Sequence, residues 1–153
     1  LDQARLERAC LRGAALPKAS LRRANLRECD FEDADLRGAS LSGSDLAGAV
    51  FERANLERAD FEAVSLCQVA GLRSAGLAGA RLRKACLSNL DLQGAALADA
   101  DLGKAILRGT DLTAAHLVRA NLRGADLSWV NLSGAHLPAA RLGDPKPRAA
   151  SCC

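Results

Sequence analysis

Aromatic residues, methionine and long apolar runs are scarce or absent in this chain of 153 residues. It contains three Phe and one Trp but neither Tyr nor Met, so its core must be built mainly from Leu and Ala. No apolar run approaches the roughly 20 residues that a membrane-spanning helix requires. Because Met is absent, we expect the chain to be a mature product or an excised piece.

The chain also lacks the usual signatures of an enzyme or a metal site. Its six Cys show no CxxC spacing of the kind that binds zinc. The two His residues, His116 and His136, have no evident Ser or Cys partner, and no Gly-rich phosphate loop is present. We therefore expect no catalytic residue, no metal, no cofactor and no small-molecule substrate. The net charge of +3 is too small to indicate a dedicated nucleic-acid binder.

A five-residue repeat runs through most of the chain. Leu or Phe occupies every fifth position from Leu1 to Leu66 and again from Leu72 to Leu142, which gives 29 repeat centres. The residue two places before a centre is usually Ala, and the residue just before it is often Asp or Asn. The stretch Ala24-Asn25-Leu26 shows the complete pattern.

This period fits neither a helix nor a flat strand. A step of five turns about 140° on a helix, and an odd step alternates between the two sides of a strand. All centres face one interior only if the chain turns a corner after each repeat, so that four corners close a coil of about 20 residues. Nine of the 13 Gly residues lie two places after a centre, where a type II turn requires a positive φ.

The motif A-(D/N)-L-x-x resembles that of the pentapeptide-repeat proteins. The resemblance covers residues 1–142 and implies an all-β fold, a right-handed quadrilateral parallel β-helix of about seven coils. The interior is then expected to hold the centres, with Ala in the narrower space beside them. The core residues we single out are Leu26, Phe31, Leu36, Phe51, Phe61, Leu122 and Leu127.

The pattern breaks once and then ends. Six residues instead of five separate Leu66 from Leu72, which predicts a register break at 67–71 that Gly71 can absorb. The break is either a bulge inside one continuous rod or an irregularity that binds a partner. Residues 143–153 read as an extended tail. No capping helix is apparent, so two sheet edges are expected to be exposed.

Several outward residues are candidate contacts for a partner. Trp129 lies two places after a centre, where it is either a contact anchor or a partly covered surface residue. The cations favour one face, which either binds phosphates or an acidic protein or is a solvated face of mixed sign. These cations are Arg22, Arg23, Arg81, Arg83, Lys84, Lys104, Arg123 and Arg141.

We expect a non-catalytic scaffold that contacts other protein chains through its ends or a flat face. The resemblance implies a subunit of a larger, photosynthetic or organellar assembly. Two alternatives are a DNA-mimicking topoisomerase-binding protein of the quinolone-resistance type and a repeat domain of a multidomain adaptor. DNA mimicry requires an acidic surface, which this sequence does not have. The compartment stays open between a plastid thylakoid lumen and the cytoplasm.

Overall fold

The computed structural model describes residues 1–143, so the predicted tail beyond Gly143 lies outside the described residues. Within this range the backbone forms neither helices nor continuous strands and pairs through single-residue parallel bridges. Arg5 pairs with Asn25, and Asn25 pairs with Asp45. The chain thus returns to the same side of the molecule every twenty residues, and four such columns of bridges surround one interior.

A tight turn forms the corner after each repeat centre. The N–H of Ala39 donates to the carbonyl oxygen of Leu36 at 2.9 Å, and the same bond recurs along the chain. The third residue of the turn has a positive φ at 26 of the 28 such positions from Gln3 to Ala139, while the second does not, which defines a type II turn. Arg8 and Lys84 also adopt this conformation, so the turn does not require glycine.

The Asp and Asn residues that precede many centres stabilise these corners. The Oδ1 atom of Asp30 accepts a hydrogen bond from the backbone N–H of Glu32 at 3.0 Å. Asp91, Asp111 and Asn131 on the same side accept equivalent bonds from the residue two places on. A short side chain that bonds to the backbone two residues later is typical of an Asx turn. This bond explains the preference for Asp or Asn at this position.

Leu and Phe fill the axis of the coil. Every centre from Leu21 to Leu122 is at most 3% exposed. Phe31 and Phe51 stack with ring centroids 5.1 Å apart, and Phe61 meets Phe51 edge-on at 6.2 Å. The expected core residues Leu26, Phe31, Leu36, Phe51, Phe61 and Leu122 all lie in this interior.

Leu127 is the exception, because it is only partly buried. It belongs to the last described turn of the coil, where fewer described residues cover the interior. The first turn shows the same effect, with Leu6, Leu11 and Leu16 partly buried. Leu1 and Leu142 are 59% and 58% exposed.

Small polar residues replace Ala at some of the positions two places before a centre, and their side chains form hydrogen bonds. The Sγ atom of Cys29 lies 2.8 Å from the carbonyl oxygen of Leu6, and Thr110 Oγ1 donates to the carbonyl of Leu87 at 2.7 Å. Ser44 Oγ donates to the Leu41 carbonyl at 2.6 Å. Burial raises the pKa of the Cys29 thiol, which keeps it neutral in the core.

The register changes between Ala70 and Gly76. Val50 pairs with Ala70, twenty residues on, whereas Asn55 pairs with Gly76, twenty-one residues on. Gly71 has a φ of +82°. A Cβ atom added to Gly71 would lie 2.3 Å from the backbone nitrogen of Glu52, so no larger residue fits there without a shift of the backbone. The bridges continue on both sides of this point within one stack.

Candidate interaction surface

One side of the rod carries all eight of the clustered cations. It is traced by the bridged residues Ser20, Ser40, Asp60, Arg81, Asp101, Asn121 and Arg141. We call this side, with the two outward residues that follow each of its centres, the basic face. The eight cations do not form one uniform stripe along it, because acidic residues divide the face into two parts.

The N-terminal part of the basic face has mixed charge. A shallow cleft of about 460 Å³ is lined by Asp2, Gln3, Arg22, Arg23, Ser42, Asp60, Glu62 and Arg81. Asp2 accepts hydrogen bonds from Ser20 Oγ and from the backbone N–H of Arg22, and these bonds lower its pKa. Arg22 Nε in turn donates to Ser40 Oγ at 2.9 Å. Arg22 and Arg23 therefore belong to a solvated, mixed-sign surface.

The C-terminal part of the basic face carries an excess of positive charge. Arg81 reaches Glu62 at 3.6 Å, and Arg83 reaches Asp101 at 3.5 Å. Asp101 also accepts a hydrogen bond from Asn121 Nδ2 at 2.8 Å. The remaining cations of this part form no ion pair with any residue in the range 1–143; they are Lys84, Lys104, Arg123 and Arg141.

Cations elsewhere are mostly neutralised by a carboxylate on the adjacent coil. Arg27 and Asp45 are 3.2 Å apart, and Arg108 and Asp126 are 2.6 Å apart, each pair separated by 18 residues. This spacing joins the residue after one centre to the residue before a centre in the next coil. Arg119 pairs with Asp99 at 2.6 Å, which lowers the pKa of the Asp99 carboxyl.

Trp129 lies at a different corner of the rod. It is 91% exposed, with a φ of +63° at the third position of its turn. Its repeat centre, Leu127, follows Asp126, which belongs to the column through Ile106 and Cys86. That column is the neighbouring side of the coil, so the structure does not bring Trp129 together with the cations of the basic face.

Neither a metal site nor a membrane span is found in the described part of the chain. His116 and His136 pair as neighbours on adjacent coils, and both are exposed. No group of three or more His, Cys, Asp or Glu residues within 1–143 could hold a metal ion. The same range offers no helix that is long and apolar enough to cross a bilayer.

The sequence analysis did not single out Glu52. Its Oε2 atom is buried without a hydrogen-bond partner, next to Gly71. Arg73 pairs with Asp91 at 3.0 Å, the same spacing of 18 residues as in Arg27–Asp45.

The chain belongs to the Pentapeptide repeats family, whose sequence profile matches in eight copies over residues 4–43, 34–69, 75–113 and 107–137. Proteins of this family form right-handed quadrilateral β-helices, in agreement with the four columns of bridges. A search of curated protein sequences found no significant match.

Solved structures of pentapeptide-repeat proteins resemble the chain over most of its length. HetL of Nostoc sp. strain PCC 7120, involved in heterocyst differentiation regulation, is 33% identical, with 92% of this chain and 77% of HetL covered and a TM-score of 0.47. A trypsin-treated variant of QnrB1, a plasmid-mediated fluoroquinolone resistance protein, is 19% identical, with 94% and 87% covered and a TM-score of 0.61. The similarity to QnrB1 shows a shared fold. A protein of the Arabidopsis thaliana thylakoid lumen is 21% identical, with 88% and 68% covered and a TM-score of 0.24.

Proposed function

We propose that this protein is a non-catalytic scaffold that docks as a subunit or domain of a larger assembly. The observation that carries the proposal is the solid interior. Leu and Phe fill the axis from Leu21 to Leu122, so the chemistry of these coils lies on their outer surface. A rod of about seven coils, about 34 Å long at about 4.8 Å per coil, offers flat faces and two ends to partners.

The ends support docking to another chain. Leu1 and Leu142 are more than half exposed, at 59% and 58%, and lie at opposite ends of the described stack. Open edges of a sheet present unpaired backbone groups that another polypeptide can bind. We propose that protein partners bind at the ends of the described stack or on a flat face. We propose a photosynthetic or organellar assembly, as the resemblance to the pentapeptide-repeat family implies.

Size analysis of the protein in its native extract tests this function. An affinity-tagged chain is recovered from its source cells at low salt without detergent, and the complex is then sized and its other chains identified. The proposal predicts one stoichiometric complex in which this chain is a minor part of the mass. Recovery of a monodisperse monomer with no associated chain would contradict it.

DNA mimicry is disfavoured by the surface charge. A protein that imitates duplex DNA needs a strongly acidic face, and this chain has a net charge of +3. Its resemblance to QnrB1 at 19% identity concerns the fold. A gyrase supercoiling assay separates the two functions, because a scaffold of this charge leaves gyrase activity unchanged. Protection of gyrase from a quinolone would favour the mimic.

A further inference from the structure

We propose that the C-terminal part of the basic face binds an acidic helical segment of a partner protein. The inference rests on the proposed scaffold function and names the chemistry of one docking surface. Its cations that form no ion pair within residues 1–143 are Lys84, Lys104, Arg123 and Arg141, which lie on four successive coils. We call these four residues the cation ladder.

The charges of the ladder are available to a partner because no carboxylate within residues 1–143 forms an ion pair with them. Asp101, which is the only carboxylate of these coils on this face within residues 1–143, is already engaged by Arg83 and Asn121. Elsewhere, exposed cations such as Arg27 and Arg119 pair with a carboxylate on an adjacent coil. An internal ion pair would compete with an incoming carboxylate, and the ladder has none within residues 1–143.

The distribution of charge along the rod also favours this part of the surface. Residues 1–71 contain 10 Lys and Arg against 12 Asp and Glu, whereas residues 72–143 contain 9 against 5. An acidic partner is therefore attracted to the C-terminal part and repelled from the N-terminal part. Complementary charge of this kind accelerates association and fixes orientation.

The side chains of Lys104 and Arg123 lie against glycines of the next coil. The Cγ atom of Lys104 lies 3.5 Å from the position that a Cβ of Gly124 would occupy. The Cβ and Cγ atoms of Arg123 lie 3.3 Å from the equivalent position on Gly143. Both side chains thus lie over the next coil. The four cations follow one another along the rod at different positions across the face, because Lys84 and Lys104 lie two places after a centre, Arg123 one place after and Arg141 one place before.

The spacing of the ladder suits a helix better than a strand. Successive coils are separated by about 4.8 Å. Side chains on one stripe of an α-helix recur on average every 3.5 residues, which is about 5.3 Å along its axis. Residues on one side of a strand recur about every 6.7 Å. Over three steps the helix falls out of register by about 1.5 Å and the strand by about 6 Å.

Nucleic acid fits this surface less well than an acidic helix. Single strands are bound by stacking on aromatic side chains, and the only Trp lies at another corner of the rod. Domains dedicated to nucleic acids usually have a pI above about 9. The pI here is 8.7, and the N-terminal part of the rod has more acids than bases.

Fluorescence anisotropy with defined probes tests the proposal on the whole chain. The probe is a labelled, helix-forming peptide of about 18 residues, about 27 Å long, with Glu along one stripe. A second peptide of the same composition has prolines added to prevent a helix, and a short DNA duplex serves as a third ligand. We expect the helical peptide to bind most tightly of the three ligands. Its affinity should fall as salt is added.

Matched variants locate the binding site. The variant Lys84→Gln, Lys104→Gln, Arg123→Gln removes three cations from the ladder. The control Arg8→Gln, Arg27→Gln, Arg119→Gln removes three cations that are paired internally. We expect about tenfold weaker peptide binding by the ladder variant and less than about twofold by the control. If the ladder variant fails to fold, Lys104→Glu against Arg119→Glu makes the same comparison.

Three results would overturn the inference: no binding by the wild-type chain, equal loss in the two variants, or tighter binding of the duplex or of the non-helical peptide. Failure here is distinguishable from failure of the proposed function. If the native complex is recovered equally with the wild-type chain and the ladder variant, the scaffold function stands and this surface is wrong. If no complex is recovered at all, the function itself fails.

Discussion

Replacing Gly71 by Ala should destabilise the rod far more than the same change at an ordinary corner. A Cβ on Gly71 would lie 2.3 Å from the backbone nitrogen of Glu52 and 2.6 Å from its carboxyl carbon. Such contacts require the backbone to move, because real Cβ atoms do not approach a neighbour so closely. The φ of +82° adds a conformational cost of about 1–2 kcal/mol for Ala. Together we expect a loss of about 3 kcal/mol.

Gly94 provides the matched control. It has a φ of +65°, and nothing lies within 4 Å of its added Cβ. Ala63, Ala114 and Ala139 already occupy the same turn position elsewhere. Gly94→Ala should therefore cost only about 1 kcal/mol, which corresponds to about 2–4 °C in Tm for a chain of this size.

Thermal and urea unfolding followed by circular dichroism measure both variants. The double variant Gly71→Ala, Glu52→Ala separates the contributions, because it removes the carboxyl contacts but keeps the backbone contact at 2.3 Å. We expect it to recover only part of the lost stability. Equal destabilisation by Gly71→Ala and Gly94→Ala would refute the argument that the register break requires glycine.

Three further predictions concern the break, the core and the surface charges. Glu52→Gln should be neutral or stabilising in urea unfolding, because the Glu52 Oε2 atom is buried without a partner; a loss above about 1 kcal/mol would contradict this. Phe51→Ala should cost about 3–5 kcal/mol and Phe51→Leu much less, since Phe51 contacts both other rings; similar melting temperatures for the two would count against the packing argument. The pKa values of Asp33 and Asp99 are lowered by hydrogen bonds to Arg53 and Arg119. A lowered folded-state pKa stabilises the protein above the ordinary Asp pKa of 3.8, and this stability is lost as the pH falls from there through the folded value. A pH titration of Tm should therefore decline more gently in Arg119→Gln than in the wild type below about pH 4, and identical profiles would argue against the role of this pair.

The repeat geometry could be predicted because few physical solutions satisfy the pattern. A centre every fifth residue can face one interior only if each repeat turns a corner, and the bridges from Arg5 to Asn25 and from Asn25 to Asp45 show this period. The Asp and Asn preference follows from a local bond such as that between Asp30 and the N–H of Glu32. Both features depend on short stretches of chain.

The contacts between surface side chains could not be predicted from the five-residue pattern, because they depend on which residues of adjacent coils lie side by side. The repeat register predicts eight cations on one face, but it does not show that Asp101 engages Arg83 while Lys104 forms no ion pair within residues 1–143. It also does not show that the Oε2 atom of Glu52 is buried without a hydrogen-bond partner. Partial burial of Leu127 depends on which coils cover it, and the five-residue pattern is the same for covered and uncovered centres.

Amide hydrogen exchange, resolved residue by residue, tests most directly whether the protein is a preformed rod that acts through its surface. The N–H of Leu56 donates to the carbonyl of Gly76 at 2.8 Å, and that of Leu102 donates to the carbonyl of Asn121 at the same distance. Such interior amides should exchange only by separation of coils, far more slowly than those near Leu1 and Leu142. Addition of the native partner should then protect amides at an end or on one face and leave the interior unchanged. Exchange as fast at Leu56 and Leu102 as at the ends, or protection that begins in the interior only when the partner is added, would contradict the account.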